Sequence, residues 1–121
     1  KKNRIICINN SFHGRTLATI FASNSKKATE GFYPKVDGFD HFNFGDHKGL
    51  EKAITSRTAA IMVEPILGEG GIKLIPKWCL KGLRKLCDQK NASILPVKNL
   101  HIWMPQFKES AQNIAKRNFK K

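Results

Sequence analysis

Residues 62–71 read MVEPILGEGG, and they follow an apolar run at residues 59–63. The run is too short for a typical helix and contains an isoleucine and a valine, so it predicts a buried strand. Pro65 cannot donate to a sheet ladder, and the strand should therefore stop before it. The glycines that follow allow a sharp turn beside Glu64 and Glu69. Strand exits of this kind hold ligands in open α/β sheets, although an ordinary loop with two solvated glutamates would also produce the pattern.

The rest of the chain alternates strand and helix patterns around that stretch. The predicted order is a strand at residues 4–8, a helix at 15–23, a loop at 24–34, an extended segment within 36–44, a helix capped by Asp46 and running to Ile54, the strand at 59–63, and an amphipathic helix at 76–90. The last helix should bury Trp78, Leu80, Leu83, Leu86 and Cys87. Such alternation is typical of βαβ units, so we predict an α/β fold with a mostly parallel sheet. The exits at residues 11–15 and 64–71 should then share one edge of that sheet.

The composition is that of one globular domain, since the chain has 121 residues, of which 40% are hydrophobic and 26% charged. No apolar run approaches the roughly 20 residues of a membrane-spanning helix, and the run at residues 5–8 is too short for the core of a signal peptide. We therefore expect a cytoplasmic chain without a membrane partner. Because the first residue is Lys1 and not Met, we also expect the chain to begin inside a longer protein.

The net charge of +13 makes nucleic acid a partner to consider. The lysines are nevertheless spread along the chain, and no zinc-knuckle or ribonucleoprotein motif accompanies them. A lysine-rich proteome explains the charge more simply, so nucleic acid is not the expected partner. The three cysteines are scattered, which favours reduced thiols. The four histidines lack the spacing of common zinc sites, so no metal is expected.

Two short motifs together carry the functional prediction. Residues 10–16 read NSFHGRT and residues 63–71 read VEPILGEGG, and each follows a predicted strand. In this order they resemble the class III aminotransferases, which are fold type I enzymes that use pyridoxal phosphate. The resemblance extends to TLATIFAS, GFYPKVDGF, FGDHKGLEKAI, TAAIMVEP and CLKGLRKLCDQ, covers residues 4–91, and is strongest toward the acetylornithine members. It implies part of a fold type I large domain.

The resemblance also assigns six residues to binding. Those at the cofactor would be Phe12, His13, Gly14 and Glu64, and those at the substrate would be Arg15 and Glu69. An aromatic ring at Phe12 can stack on the planar pyridoxal ring, and the fork of Arg15 suits the α-carboxylate of a substrate. In the family, the glutamate that matches Glu69 pairs with a distant arginine and releases it for a second carboxylate.

The residues themselves leave simpler roles open. Phe12 could belong to the hydrophobic core, as aromatic residues near strand ends usually do, and Arg15 could cap an ordinary turn. His13 fits a structural turn residue better than a catalyst, because transamination relies on a lysine as its base. No catalytic residue is therefore assigned in this chain.

Three parts of the family's active site have no counterpart in this sequence. They are the lysine that forms the Schiff base, the acidic residue against the pyridine nitrogen, and the glycine-rich phosphate turn. Residues 93–108 read SILPVKNLHIWMPQFK where the acid is expected. We therefore hypothesise that the coding frame is lost near Ala92, which leaves residues 92–121 as a basic tail, helical or disordered. Translating the other two frames tests this, since a frameshift is excluded when neither shows a continuation resembling DEVQ.

The resemblance thus implies a fragment of an enzyme that moves an amino group between N-acetylornithine and 2-oxoglutarate in arginine biosynthesis. An amino acid and a 2-oxo acid are the expected small-molecule substrates, and the full-length parent is expected to be a homodimer. The chain alone should be inactive. The alternatives are a fragment of an ornithine or other ω-aminotransferase, and a small basic nucleic-acid-binding module.

Overall fold

The computed structural model describes residues 1–68 and 72–97. In chain order the elements are β1 (Arg4–Ile8), α1 (Leu17–Ser23), α2 (Lys26–Thr29), β2 (Phe39–Phe42), α3 (His47–Ala53), β3 (Thr58–Val63), β4 (Ile66–Leu67), β5 (Lys73–Leu74), α4 (Lys77–Gln89) and β6 (Ser93–Pro96). A parallel sheet is formed by β1, β2, β3 and β6 in the order β2-β1-β3-β6, and β4 pairs with β5 in a short antiparallel hairpin. The predicted α/β fold with a mostly parallel sheet is confirmed.

Helices connect the strands of the sheet, as parallel neighbours require, because a tight turn cannot return the chain to the edge where the previous strand began. The connection from β1 to β2 contains α1 and α2, that from β2 to β3 contains α3, and that from β3 to β6 contains α4. Ladder pairs such as Cys7 with Met62 and Val63 with Pro96 set the register. All four strands therefore end at the same edge of the sheet.

The main hydrophobic core lies between one face of the sheet and helices α3 and α4. Its buried members are Ile6, Ile8, Phe42, Leu50, Ile61, Val63, Leu67, Ile75, Leu83 and Cys87. Side chains alternate along a strand, so His41 points to the opposite face from Phe42. There, His41 Nε2 lies 3.0 Å from the carbonyl oxygen of Ala22 in α1. Helices thus pack on both faces of the sheet near β1, which holds the exit of that strand in place.

The ends of two helices follow local sequence signals. Asp46 begins α3 as predicted, because its Oδ1 accepts a hydrogen bond from the Gly49 amide at 2.8 Å. The helix ends at Ala53, and Ile54 is its C-cap. The last helix, α4, begins directly after Pro76, whose fixed φ and missing amide hydrogen suit the start of a helix.

Two parts of the chain hold short elements that no sequence pattern predicts. Residues 24–34, predicted as a loop, contain the single helical turn α2. The hairpin of β4 and β5 has two residues in each strand, which is too few for a periodic signal. The prediction of a loop at residues 24–34 is therefore wrong where α2 lies, and the hairpin adds two short strands on either side of the predicted glycine-rich turn.

The predicted buried face of α4 is correct in direction but not in extent. Leu83 and Cys87 are buried, whereas Trp78 is 67% exposed. The Trp78 ring contacts the His47 ring, with centroids 5.9 Å apart. Periodicity identifies which side of a helix faces the core, and Cys79 and Leu80 of the first turn do pack against it, but Trp78 does not.

Strand β6 lies beside β3 at the edge of the described sheet. This position suits Pro96, which has no amide hydrogen to donate to a second neighbour. The Val97 amide donates to the Val63 carbonyl at 2.8 Å, so pairing with β3 continues beyond the strand. The predicted boundary at residue 91 stays a prediction, and residues 98–121, predicted as a basic tail, lie outside the described residues.

Over residues 1–68 and 72–97, no helix has the length and apolar character needed to cross a membrane.

Candidate functional site

The exits of β1 and β3 lie side by side at one edge of the sheet. The two strands pair in parallel, with Cys7 opposite Met62. Beyond the strands, the Phe12 amide donates a hydrogen bond to Oε1 of Glu64 at 2.9 Å, and these residues are only 9% and 2% exposed. The two sequence motifs therefore meet through a buried hydrogen bond.

A tight turn leads from β1 to Phe12. Asn10 adopts a left-handed conformation with φ of 59°, which asparagine tolerates better than most residues. The Ser11 amide and hydroxyl both donate to the Ile8 carbonyl, at 3.3 and 2.7 Å. The Asn10 amide donates to the carbonyl of Ser23 at the end of α1, at 2.9 Å. The turn is thus held by its own hydrogen bonds and by α1.

His13 is held in one tautomer. Its Nε2 lies 2.7 Å from Oγ of Ser11, whose own proton points to the Ile8 carbonyl, so Nε2 carries the hydrogen and donates it. Nδ1 is then an acceptor, and it is enclosed without a hydrogen-bond partner among the described residues. Burial, with an addition from nearby His41, lowers the pKa of His13 to about 4. The ring is therefore neutral near pH 7.

Gly14 turns the chain from Phe12 toward α1. Its φ of 132° is one that side chains rarely adopt, and a Cβ at this position would lie 2.9 Å from Oγ1 of Thr19. The turn places Cζ of Arg15 5.0 Å from the centroid of the Phe12 ring, which is within cation–π distance. The guanidinium of Arg15 and the ring of Phe12 therefore lie close together, next to the main chain of Gly14.

A cavity of about 260 Å³ adjoins these residues. Its lining combines an aromatic ring, two basic side chains and two hydroxyls, and consists of Phe12, Gly14, Arg15, Ile20, Ser23, Ser25, Lys27 and Ala28. The basic groups and hydroxyls favour an anion, and the aromatic ring favours a planar partner. The lining thus fits one wall of a site for a planar anionic group such as pyridoxal phosphate. Within residues 1–68 and 72–97, no group of three or more metal-ligating side chains occurs.

The structure brings five of the six predicted site residues to one sheet edge. They are Phe12, His13, Gly14, Arg15 and Glu64. The His13 ring is turned toward Ser11 and is not part of the cavity lining. Glu69 lies outside the described residues. The binding roles of all six stay predictions.

Lys27 and Ser23 line the cavity, and the sequence predicts neither of them as a site residue. The amide of His13 donates to Oγ of Ser23 at 3.3 Å. Ser23 ends α1, so its distance from the NSFHGRT motif depends on how α1 packs. Lys27 lies in α2, a helical turn without a sequence signal. The pair of lysines at residues 26 and 27 is the one available hint, and it matches many exposed helices equally well.

Comparisons with known proteins place these features in a family. The sequence profile of the family Aminotransferase class-III matches residues 1–95. The chain is 57% identical over 86 residues to the acetylornithine aminotransferase of Mesorhizobium japonicum, a match that covers 71% of this chain and 22% of the relative. The ornithine aminotransferase of Toxoplasma gondii ME49 has a similar structure, with a TM-score of 0.73 and 32% identity over 79% of this chain and 23% of that chain. A further structure of the T. gondii enzyme reveals partial occupancy of PLP at its active site.

The profile match covers most of the chain, and the fold agrees with it. This chain therefore belongs to the class III aminotransferases, a family that depends on pyridoxal phosphate. It spans less than a quarter of the length of these relatives, at 22% of the M. japonicum enzyme and 23% of the T. gondii enzyme. The family assignment thus rests on the matched residues 1–95.

Proposed function

We propose that this chain is part of an aminotransferase that moves an amino group between N-acetylornithine and 2-oxoglutarate, a reaction of arginine biosynthesis. The observation that carries the proposal is the hydrogen bond from Phe12 to Glu64, because it joins the two motifs at the sheet edge where such folds bind ligands. The 57% identity to an acetylornithine aminotransferase supports the choice of substrate. The parent enzyme would act in the cytoplasm as a homodimer.

Phe12 and Arg15 would form the main binding surface of this chain. Phe12 would present its ring to the cofactor, and Arg15 would bind the α-carboxylate of the substrate through its planar fork. The 5.0 Å between the ring centroid and Cζ of Arg15 puts the carboxylate site directly beside the stacking surface. Gly14 lines the cavity with its main chain alone. Pyridoxal phosphate, when bound, supplies the electron-withdrawing ring on which amino-group transfer depends.

His13 would help to order the site without moving a proton. Its pKa of about 4 keeps the ring neutral at physiological pH, and its Nε2 hydrogen is engaged by Ser11. Nδ1 can accept a hydrogen bond but has no hydrogen to give. His13 could therefore contact a cofactor only as an acceptor.

Glu64 and Glu69 would form the opposite side of the site. Glu64 would order the cofactor end of β3, as its hydrogen bond to Phe12 supports. Glu69 would pair with an arginine from another part of the parent enzyme, so that one pocket could accept both an amino acid with one carboxylate and a dicarboxylate.

The 121-residue chain should be inactive alone. Its sequence has no match to the family's Schiff-base lysine context, and β6 and Val97 carry no acidic side chain to face a pyridine nitrogen. The experiment is an assay of glutamate formation from N-acetylornithine and 2-oxoglutarate, using the purified chain and a version with the neighbouring coding sequence restored.

We expect activity from the restored protein only. Activity of the purified chain alone would contradict the claim of inactivity. A restored protein that accepts no ω-amino donor at all would exclude the proposed function. Translating the other two frames beyond Ala92 checks independently where that neighbouring sequence lies.

An ornithine aminotransferase is the second candidate. The TM-score of 0.73 and the 32% identity to the T. gondii ornithine aminotransferase support it. The two candidates differ in whether the amino donor carries an acetyl group. The ratio of rates with N-acetylornithine and with ornithine, measured on the restored protein, separates them.

A further inference from the structure

Glu64 touches the site through the main chain of Phe12, and it lies between two strands of the fold. It follows β3 directly, after Val63, which is 1% exposed. Pro65 after it accepts a hydrogen bond from the Ile75 amide at 3.0 Å. Phe12, by contrast, lies in the loop between β1 and α1. Glu64 thus lies between β3 and β4, which each pair with another strand, whereas Phe12 is separated from the end of β1 by residues 9–11.

The hydrogen bond between them satisfies two groups that are costly to bury alone. A carboxylate at 2% exposure needs donors, and a main-chain amide beyond the end of a strand needs an acceptor. The hydrogen bond of 2.9 Å from the Phe12 nitrogen to Oε1 of Glu64 gives the amide an acceptor and the carboxylate one donor. Oε1 of Glu64 thus accepts the hydrogen bond that a main-chain carbonyl of a neighbouring strand would accept if Phe12 lay within the sheet.

The position of Phe12 in turn sets the position of Arg15. Gly14 lies between them with φ of 132°, and Thr19 occupies the space that a Cβ of this residue would need. The guanidinium of Arg15 lies over the Phe12 ring, with Cζ 5.0 Å from the centroid. A shift of the Phe12 amide therefore displaces both the ring and the guanidinium.

We propose that Glu64 is a positioning residue whose carboxylate oxygen, acting through the Phe12 amide, sets the Phe12 ring and the Arg15 guanidinium in place. What the position requires is an oxygen acceptor, and a negative charge is not essential. The role of Phe12 and Arg15 as the binding surface rests on the proposed function, whereas the coupling between the residues does not. Glu64 acts through Phe12 and needs no direct contact with a ligand.

The test uses the ligand-free 121-residue chain, so its result does not depend on aminotransferase activity. Two substitutions are compared, Glu64→Gln, which keeps an acceptor oxygen, and Glu64→Val, which removes it. Hydrogen exchange of the Phe12 amide and the NMR shift of the Arg15 side-chain Nε–H are measured in each. We expect Glu64→Val to lower the protection of the Phe12 amide about 10- to 100-fold, the range for a lost hydrogen bond to a charged group. Glu64→Gln keeps a neutral hydrogen bond and should lower the protection less than Glu64→Val does, by at most about tenfold.

The shift of the Arg15 Nε–H should change more in Glu64→Val than in Glu64→Gln, because this shift depends on the position of the Phe12 ring next to the guanidinium. Glu51→Val and Glu51→Gln on the exposed face of α3 are the matched controls, and they should change neither reading. Equal losses in Glu64→Gln and Glu64→Val would overturn the claim that an acceptor suffices. Unchanged Phe12 protection in Glu64→Val would overturn the positioning role. If Glu64→Val does not fold, hydrogen exchange of the wild-type chain is the test. A wild-type Phe12 amide that exchanges as fast as an exposed loop amide would also overturn the positioning role of Glu64.

Discussion

Replacing Gly14 with alanine should destabilise the protein and displace the proposed binding residues. A side chain at φ of 132° strains the main chain, at a cost of about 1–3 kcal/mol. The new Cβ would also lie 2.9 Å from Oγ1 of Thr19, which donates to the Thr16 carbonyl at 3.0 Å and therefore cannot move without breaking that bond. Such overpacking costs about 1–3 kcal/mol more. We expect a loss of about 2–4 kcal/mol in the free energy of unfolding, below the full sum because one main-chain shift relieves both.

The assay is urea unfolding followed by circular dichroism, with NMR shifts of Phe12 and Arg15 as the local reading. Gly82→Ala is the matched control, because nothing lies within 4 Å of the added Cβ in α4, and it should stabilise by about 0.5–1 kcal/mol. The double variant Gly14→Ala with Thr19→Ala should recover part of the loss. A Gly14→Ala protein within about 0.5 kcal/mol of the wild type, with unchanged Phe12 and Arg15 shifts, would refute the reasoning.

Three further predictions concern the fold and its partners. His13 takes up a proton near pH 6.5 when unfolded and near pH 4 when folded, so stability should fall as the pH drops from 6.5 toward 4. Urea titrations at several pH values should show that the free energy of unfolding depends less on pH in His13→Gln than in the wild type, whereas the exposed His47→Gln should match the wild type. The same pH dependence in His13→Gln and His47→Gln would contradict this prediction. Leu83→Ala should cost about 2–5 kcal/mol by thermal unfolding, because Leu83 is 6% exposed, whereas Leu17→Ala at 54% exposure should cost below about 0.5 kcal/mol. Similar losses would contradict the core assignment. Fluorescence anisotropy should detect no binding to duplex DNA or single-stranded RNA at physiological salt, and steeply salt-dependent binding would favour the basic-module alternative.

Much of the fold follows from local patterns in this sequence. The short β-branched run before Glu64 becomes the strand β3, and RIICI becomes β1 with the predicted bounds. Asp46 caps α3 because its side chain reaches the Gly49 amide three residues on, an interaction that depends only on neighbouring residues. Alternation of these elements then determines a parallel sheet, since helices are needed to connect its strands.

The arrangement within the site could not be predicted in the same way. The hydrogen bond from Phe12 to Glu64 spans 52 residues, and it depends on how two loops meet beyond paired strands. The tautomer of His13 depends on where Ser11 directs its single proton, which is a property of the folded turn. Exposure of Trp78 depends on which residues of α4 pack against the core in the folded chain. The motif residues could thus be placed at one edge, but their contacts could not.

A titration of the chain with pyridoxamine 5′-phosphate, followed by NMR, tests the central claim most directly. This compound has the ring and phosphate of the cofactor but no aldehyde, so it cannot form Schiff bases with the many lysines. We expect saturable shifts concentrated at residues 12–15 and at Glu64, and a loss of these shifts in Phe12→Ala, which removes the proposed stacking ring. Shifts spread over the exposed lysines of α4, such as Lys81 and Lys85, with no change at residues 12–15 would contradict it.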